Sequence, residues 1–474
     1  MFNITTKRFV IPIVSAILLS CAWVSASGQE ISPRTLNLEE SINIALAENL
    51  TVKSAEAGLE IAKQKVNEAR AGFMPVLSAT GSYTYFGELP TMDIDFDLSA
   101  FGLSPELMQM MGMDTPPADE ESKSGGIPVG SVDTYSAGLS LQQPLFTWGK
   151  IYNNYKQAKI SMEASQQAYE AAKRQVTLDV TKAFYGVLLT EKLVNVAEKA
   201  VSQVEAHVKV AQDLLDAGMA TDFDLLRAKV QLANFKSLLI RARNGLTLSK
   251  DSFKNTIGMD LNAQINVAGE LVYKPLDLDL DQLIESAMAN RPEIKQLKLQ
   301  EQVGKKYISL AKAGNKPNLA LLGNYNLESN ADKMGDVFDR DEWNKNWNII
   351  LALQVPIFDG LATRARVKQA ENGLEQIRIG MEQLTDGVGL EVRAAFLGLR
   401  ESEELLKVQA ETVQQAEESL RIANLRHKNG MITSVELMDT ELAFTQAQTN
   451  QFNALHDYVI AVAKLEKASA SNLD

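Results

Sequence analysis

Residue types that could carry out chemistry are sparse in this 474-residue chain. It contains three histidines, His207, His427 and His456, and a single cysteine, Cys21, and the histidines show no metal-ligand spacing. No nucleophile elbow, Walker loop or dinucleotide fingerprint is found in the sequence. An enzyme is therefore the least favoured class of protein, and no cofactor is predicted.

A group of methionines forms the other chemical candidate. Four of them lie in "MQMMGM", residues 108 to 113, close to three aspartates within residues 93 to 97. Thioethers and carboxylates could hold a soft metal ion, but methionine more commonly fills irregular apolar contacts. We therefore predict no metal site, and the role of the loop 88–132 stays open.

One short motif occurs twice, and its residue types indicate a structural role rather than a catalytic one. It is "AGMATDFDLLRAKVQLANF" at residues 217 to 235 and "NGMITSVELMDTELAFTQA" at residues 429 to 447. Gly218 and Gly430 can adopt the left-handed backbone conformation that ends a helix. Each motif therefore predicts a tight turn between two helices.

Helix-capping residues follow each of these glycines. Thr433 with Glu436 has the spacing of a capping box, and Thr221 with Asp224 is its shorter analogue. These residues explain the two turns without any further function.

The two turns belong to a duplication of nearly the whole chain. Residues 36 to 53 match residues 278 to 295 at an offset of 242, and the offset becomes 212 at Pro144 and Pro356. This drop in the offset indicates an insertion in the first copy, within residues 88 to 132. A period above two hundred residues is too long for a solenoid, so we predict two copies of one module.

Each copy contains two segments in which apolar and polar residues alternate. They are "VLSATGSYTYF" from residue 76 and Tyr135 to Leu141 in the first copy, and "NLALLGNYNLE" from residue 318 and Trp347 to Val355 in the second. Four strands of about ten residues, with Tyr and Trp toward one end, are typical of an outer-membrane barrel. Single-chain barrels begin at about eight strands. The hairpins therefore either pack on another part of the protein or join a barrel shared by several chains.

The longest predicted helices are 149–215 and 361–427, and neither contains an internal proline. Apolar or small residues alternate steps of three and four along the first, which predicts a coiled coil about 100 Å long. These seam positions are Val176, Val180, Ala183, Val187, Thr190, Val194, Ala197, Val201, Val204, Val208, Ala211 and Leu215. Shorter helices such as 38–72 and 221–256 can stack end to end beside each long helix. The turns then lie at the far tip and the strands at the other end.

The predicted fold class is thus mixed α and β and elongated, with two repeats. The first repeat, 36–256, comprises a helix, a β-hairpin at 76–146, the long helix 149–215 and a return helix 221–256. After a connecting segment at 257–278, the second repeat, 279–470, comprises a helix, a β-hairpin at 318–356, the long helix 361–427 and a return helix 433–468.

The N-terminus has the layout of a secretory signal peptide, with Lys7 and Arg8 before an apolar run from Phe9 to Val24. Cleavage after Ala26 is favoured, giving a signal peptide 1–26, and the alternative is a lipoprotein signal to residue 20 with Cys21 lipidated. The net charge of −13 argues against a nucleic-acid partner.

The sequence resembles the TolC family of outer-membrane channel proteins. The duplication carries the resemblance together with the two tip motifs and "QVPIFDGLATRARVKQAE" at the junction from strand to helix. The resemblance implies a homotrimer in which four β-strands per chain form one 12-stranded outer-membrane β-barrel, continuous with a long α-helical coiled-coil barrel. It also implies an outer-membrane location with extension into the periplasm of a Gram-negative bacterium.

The resemblance further implies the exit duct of a tripartite efflux pump or type I secretion system. Its partners would be a periplasmic adaptor (membrane fusion protein), an inner-membrane transporter and outer-membrane lipid. The adaptor would dock on the helix tips, whose residues are Gly218, Met219, Ala220, Thr221, Gly430, Met431, Ile432 and Thr433. The alternative class is a periplasmic coiled-coil scaffold protein without a barrel.

Four residues are candidates for a periplasmic gate. Glu436 and Asp439 match positions where the family places acidic residues around the closed entrance, and clustered carboxylates should attract cations. The family's arginine, two residues after the second glycine, is replaced by Ile432. We therefore expect a different latch, in which His427 contacts Asp224; a cation at a helix end is the other interpretation of His427.

Overall fold

In the computed structural model the described residues are 34–89, 91–92, 110–111, 127–128, 132–329 and 343–473. The predicted signal sequence, Cys21 and most of the loop 88–132 lie outside these ranges. The described chain is mainly helical, with a smaller part in strands. Among these residues, no helix combines the length and the apolar character that crossing a membrane would require.

The first half contains strand β1 (Arg34–Leu36), helices α1 (Leu38–Glu48) and α2 (Leu50–Ala71), and strand β2 (Val76–Tyr85). Two-residue strands β3 (Thr91–Met92) and β4 (Ile127–Pro128) pair with each other before strand β5 (Asp133–Phe146). Helices α3 (Lys150–Asp216) and α4 (Asp222–Ile257) complete this half.

The second half repeats this order. It begins after strand β6 (Ile265–Val267), which pairs in parallel with β1. Its elements are helices α5 (Leu280–Asn290) and α6 (Pro292–Lys312), a 3-10 turn at Ala313–Asn315, strands β7 (Asn318–Ser329) and β8 (Trp343–Gln354), and helices α7 (Ala362–Lys428) and α8 (Ser434–Ser469). Both long helices have 67 residues and both return helices have 36.

The sequence predicts a single helix over 38–72, whereas the structure has two helices there, α1 and α2. The chain leaves the helical conformation at Asn49 (φ −63°, ψ 130°), whose side chain caps α2 by accepting a hydrogen bond from the Thr51 N–H. The second half breaks at the equivalent residue, Arg291, because Pro292 disfavours a helical residue before it.

Strands β2, β5, β7 and β8 form one antiparallel sheet in that order. One row across the four strands is polar: Ser78, Ser140, Asn324 and Asn348. The Ser78 and Ser140 hydroxyls are 2.7 Å apart, and Asn324 Nδ2 donates to Asn348 Oδ1 at 2.9 Å. The adjacent row is apolar: Ala79, Leu139, Tyr325 and Trp347. The sheet thus has one polar and one apolar face, and β2 and β8 are its open edges.

The helices form a single layer in which α3 has a central place. Toward the tips the contacts follow the order α4, α3, α8, α7, and toward the strands they follow α2, α3, α6, α7. Two equivalent apolar cores lie along α3 and α7. The first includes Val176, Val180 and Phe253, and the second has Val388, Val392 and Leu465 at the corresponding positions of the duplication.

Candidate functional site

The α3–α4 and α7–α8 turns have the same backbone hydrogen bonds. In the first, the Gly218 N–H donates to the Leu215 carbonyl at 2.9 Å and the Met219 N–H to the Leu214 carbonyl at 2.8 Å. Gly218 has φ of +71°, so the turn is a Schellman motif that requires a left-handed residue. We call this turn the first tip, residues 217–221.

The second tip, residues 429–433, reproduces this geometry. The Gly430 N–H donates to the His427 carbonyl at 3.0 Å and the Met431 N–H to the Arg426 carbonyl at 2.9 Å. Gly430 has φ of +67°. The prediction that both glycines end a helix in the left-handed conformation is confirmed.

Both return helices begin with a full capping box. The Thr221 N–H donates to Asp224 Oδ2 at 3.0 Å, and the Thr433 N–H donates to Glu436 Oε2 at 2.9 Å. In return, the backbone N–H groups of Asp224 and Glu436 each donate to the threonine hydroxyl at 3.3 Å. Two of the three acidic residues expected at the gate, Asp224 and Glu436, are thus held against their own helix ends.

Asp224 is fully exposed, and its ionised form is stabilised locally. Two hydrogen bonds from Thr221 hold the pKa of the Asp224 carboxyl below its ordinary value, and the one from the hydroxyl has a larger effect than the one from the backbone N–H. Asp439, one turn beyond Glu436, is exposed and makes no hydrogen bond or ion pair within the described residues.

The two tips expose the same side-chain position to solvent. Met219 is 76% exposed and Met431 is 70% exposed, so each tip presents one methionine. Ala220 and Ile432 are half-buried, and Ile432 packs against a core of Leu420, Ala423 and Leu437. The methionines are therefore the large apolar side chains that residues 217–221 and 429–433 expose most.

The two long helices also end with opposite charge. The last turn of α7 carries Arg426, His427 and Lys428, which oppose the negative end of the helix macrodipole. The last turn of α3 has no basic residue and contains Asp213 and Asp216. The duplicated tips are alike in backbone and unlike in electrostatics.

His427 contacts its own hairpin. Its Nε2 lies 3.1 Å from the Ser434 hydroxyl, while the Asp224 carboxylate is bound to Thr221. The expected contact of His427 with Asp224 is therefore not formed within one described chain. Helices α7 and α4, which carry these two residues, lie at opposite edges of the helical layer.

A second polar contact near the tips was not predicted from the sequence. His207 Nε2 of α3 lies 2.6 Å from Glu441 Oε1 of α8, and the Glu441 side chain is only 5% exposed. The sequence contained part of the signal, because Glu441 lies four residues from both Leu437 and Thr445, but this spacing does not identify its partner. A charged residue in a buried row requires a partner on the facing helix.

The described ranges contain no group of three or more histidine, cysteine, aspartate or glutamate side chains arranged to hold a metal ion. The loop methionines and aspartates considered above lie largely outside these ranges.

Comparison with known proteins places this geometry among membrane channels. The model of a family described as outer membrane efflux protein matches residues 41–258 and 283–471. The outer membrane protein TolC of Vibrio cholerae is 24% identical over 341 residues, which cover 71% of this chain and 76% of that protein. The outer membrane efflux protein BepC of Brucella suis is 22% identical over 461 residues, covering 96% of this chain and 89% of that one.

A solved structure shows the same fold at low sequence identity. The Campylobacter jejuni CmeC outer membrane channel superposes with a TM-score of 0.73 at 16% identity, covering 92% of this chain and 86% of that chain.

Proposed function

The chain belongs to the outer membrane efflux protein family, and on that premise we propose that three copies assemble into one continuous duct. It is an exit duct in the outer membrane of a Gram-negative bacterium, serving efflux or secretion. Its relatives are channel proteins rather than enzymes.

The observation that carries the proposal is the four-stranded sheet with two open edges. An exposed edge strand leaves unpaired backbone N–H and C=O groups, which closure into a barrel removes. The apolar face bears large exposed side chains on β8, with Trp347 71% and Ile349 68% exposed in the single chain. Three copies supply twelve strands, with this face toward lipid and the serine and asparagine row toward the lumen.

The helical layer has matching open edges. On α7, Leu390 is 70% and Leu397 is 64% exposed, while on α4 Val230 is 61% and Leu248 is 70% exposed. Unpartnered apolar rows on coiled-coil helices are normally covered by another helix. We propose that α7 of each chain packs against α4 of the next, which closes the layer into a tube.

This arrangement gives the gate residues a place. With α7 beside α4 of the neighbouring chain, His427 of one chain comes close to Asp224 of the next, so the latch expected from the sequence forms between chains. Glu436 and Asp439 begin α8 on the same tip and supply six carboxylates to the entrance. Opening of the entrance then requires these contacts between chains to part.

We propose that a periplasmic adaptor docks on the two tips, residues 217–221 and 429–433, and connects the duct to an inner-membrane transporter. Met219 and Met431 supply exposed, adaptable apolar contacts of the kind that variable partners use. The acidic first tip and the basic end of α7 would each require complementary charge on the adaptor.

We also propose that the two halves, 36–256 and 279–470, are repeats of one module joined by residues 257–278. The equal lengths of their long and return helices and the matching apolar cores support this division.

Detergent extraction of the full-length protein from outer membranes tests the assembly. Native mass measurement should give a trimer, and insertion into a planar bilayer should give single-channel conductance. A folded, monodisperse monomer in detergent would overturn the trimer. Recovery of the protein from the periplasm without detergent would instead favour a coiled-coil scaffold.

A further inference from the structure

The contact between His207 and Glu441 is unusual because it places a carboxylate inside a helical layer. The Glu441 side chain is only 5% exposed, and one of its two oxygens has a hydrogen-bond partner among the described residues. His207 Nε2 lies 2.6 Å from Oε1, whereas Oε2 is buried without a hydrogen-bond partner in the described part of the chain.

The charge state of this pair determines the strength of the contact. An ionised carboxylate in a site with little water is costly unless a positive charge compensates it. The protonated imidazole of His207 supplies that charge, while the neutral imidazole supplies only a dipole. The α3–α8 contact should therefore be stronger when His207 is protonated.

Among the residues described, His207 is the one basic side chain in contact with Glu441. His427 of α7 faces His207 edge-on with ring centroids 6.5 Å apart, but its Nε2 contacts Ser434. Glu205 of α3 is paired with Lys236 of α4 at 2.9 Å. The other charged side chains on neighbouring turns are exposed: Lys209 of α3, Arg426 and Lys428 of α7, and Glu436 and Asp439 of α8.

The pair joins the two halves of the molecule. His207 belongs to α3, and Glu441 belongs to α8, the helix through which the second hairpin contacts α3 toward the tips. His207 precedes Gly218 by eleven residues, which is about 16 Å along the helix. A change in this contact therefore acts on the hairpin that carries the second tip.

We propose that His207 and Glu441 form a proton-operated latch that holds the second hairpin against α3 and so favours the closed entrance; this inference rests on the proposed duct function. When His207 is protonated, the ion pair is intact and the hairpin is held. When His207 is neutral, the buried carboxylate loses its counter-charge, and the hairpin is released.

Single-channel recording of the full-length trimer between pH 5.5 and 8 tests the latch. Because His427 is a second titratable group at the tip, the recordings are made in a His427→Gln background. There, the open probability should rise about tenfold from pH 5.5 to 8, since an unpaired buried charge weakens the contact strongly. Adding His207→Gln or Glu441→Gln should remove this pH dependence.

His456→Gln is the matched control, because it removes the remaining histidine at a distance from the tips and should leave the pH dependence in place. If the pH dependence persists after His207→Gln and after Glu441→Gln, the latch is overturned.

Hydrogen exchange separates the latch from the duct function. The trimer and its Glu441→Gln variant are compared at each pH, so that the intrinsic pH dependence of exchange cancels. The ratio of parent to variant exchange rates in residues 200–216 and 434–445 should increase at least threefold from pH 5.5 to 8. If the ratio increases but the protein conducts at no pH, the result supports the latch and counts against the duct. If the ratio does not change with pH, the latch is overturned.

Discussion

Leu361 is the counterpart of Gly149 in the duplication, and the two residues have the same left-handed backbone, with φ of 66° and 76°. Each is the residue before a 67-residue helix. The preceding residues, Trp148 and Gly360, are also left-handed, with φ of 48° and 64°. Both repeats thus turn from strand to helix through two left-handed residues, but the glycine occupies the second position in one and the first position in the other.

Leu361→Gly should stabilise the start of α7. A left-handed conformation costs a non-glycine residue roughly 1–2 kcal/mol, and glycine's own entropy returns part of that gain. The Leu361 side chain is 60% exposed, so little packing is lost. We expect a net gain of about 0.5–1 kcal/mol in local opening free energy, measured by hydrogen exchange at residues 362–368. Gly149→Ala is the reverse control and should destabilise the start of α3.

Acid should loosen the first tip through Asp224. Its folded-state pKa lies below its ordinary value, so the cap contributes stability above the unfolded pKa, near 3.9 for aspartate, and loses it as the pH falls through the lower folded value. Asp224→Asn should therefore produce at neutral pH the loss of amide protection, measured relative to the intrinsic exchange rate at each pH, that the parent shows only in acid.

Asp222→Asn is the matched control, because Asp222 lies in the same first turn of α4 but outside the capping box. Equal exchange in the two variants would show that general first-turn charge, rather than the cap, stabilises the tip.

The elements whose signals are local were accessible from the sequence. The two tip glycines and the prolines after the first helices mark helix ends. The heptad seam marks a long helix. None of these signals depends on the rest of the chain. The break at Asn49 was missed because the helical period continues through it and asparagine is a weak signal by itself. The equivalent helix break at Arg291 could be predicted from Pro292, which disfavours a helical residue before it.

Contacts that depend on the register between helices were not accessible. The pairing of His207 with Glu441 requires the alignment of α3 with α8, which no pattern within either helix contains. The same holds for His427, since the sequence shows its distance from Gly430 but not that Ser434 lies 3.1 Å from its ring. The order of helices within one chain puts Asp224 and α7 at opposite edges of the layer, so the predicted contact could arise only in the proposed arrangement of several chains.

Divalent cations added on the periplasmic side should block the duct mainly through Asp439. Glu436 is engaged by Thr433, whereas Asp439 is free to coordinate an ion together with its copies in the proposed trimer. Asp439→Asn should weaken the block of single-channel conductance more than Glu436→Gln does. Asp457→Asn, on the same helix but eighteen residues further on, should leave the block unchanged. A block that survives Asp439→Asn and Glu436→Gln together would place the cation site elsewhere.

Assembly should depend on the apolar edge of α7. Leu390 and Leu397 are seven residues apart, so they lie on one stripe of the helix, and both are mostly exposed in the single chain. Burying one leucine at an interface contributes about 2 kcal/mol, and the proposed trimer would repeat each contact three times. Leu397→Glu replaces that contribution with a charge that would have to lose its water.

We therefore expect Leu397→Glu to shift the detergent-extracted protein from trimer to monomer in native mass measurement and to abolish conductance in bilayers. Gln414→Glu adds the same charge at an exposed polar position of α7 and should leave the trimer intact. Because the long-helix core at Val388 and Val392 is untouched, far-ultraviolet circular dichroism should show that the helices persist in the Leu397→Glu monomer. If Leu397→Glu remains a conducting trimer, the edge of α7 faces solvent, and the chains must associate through the sheet edges of β2 and β8 alone.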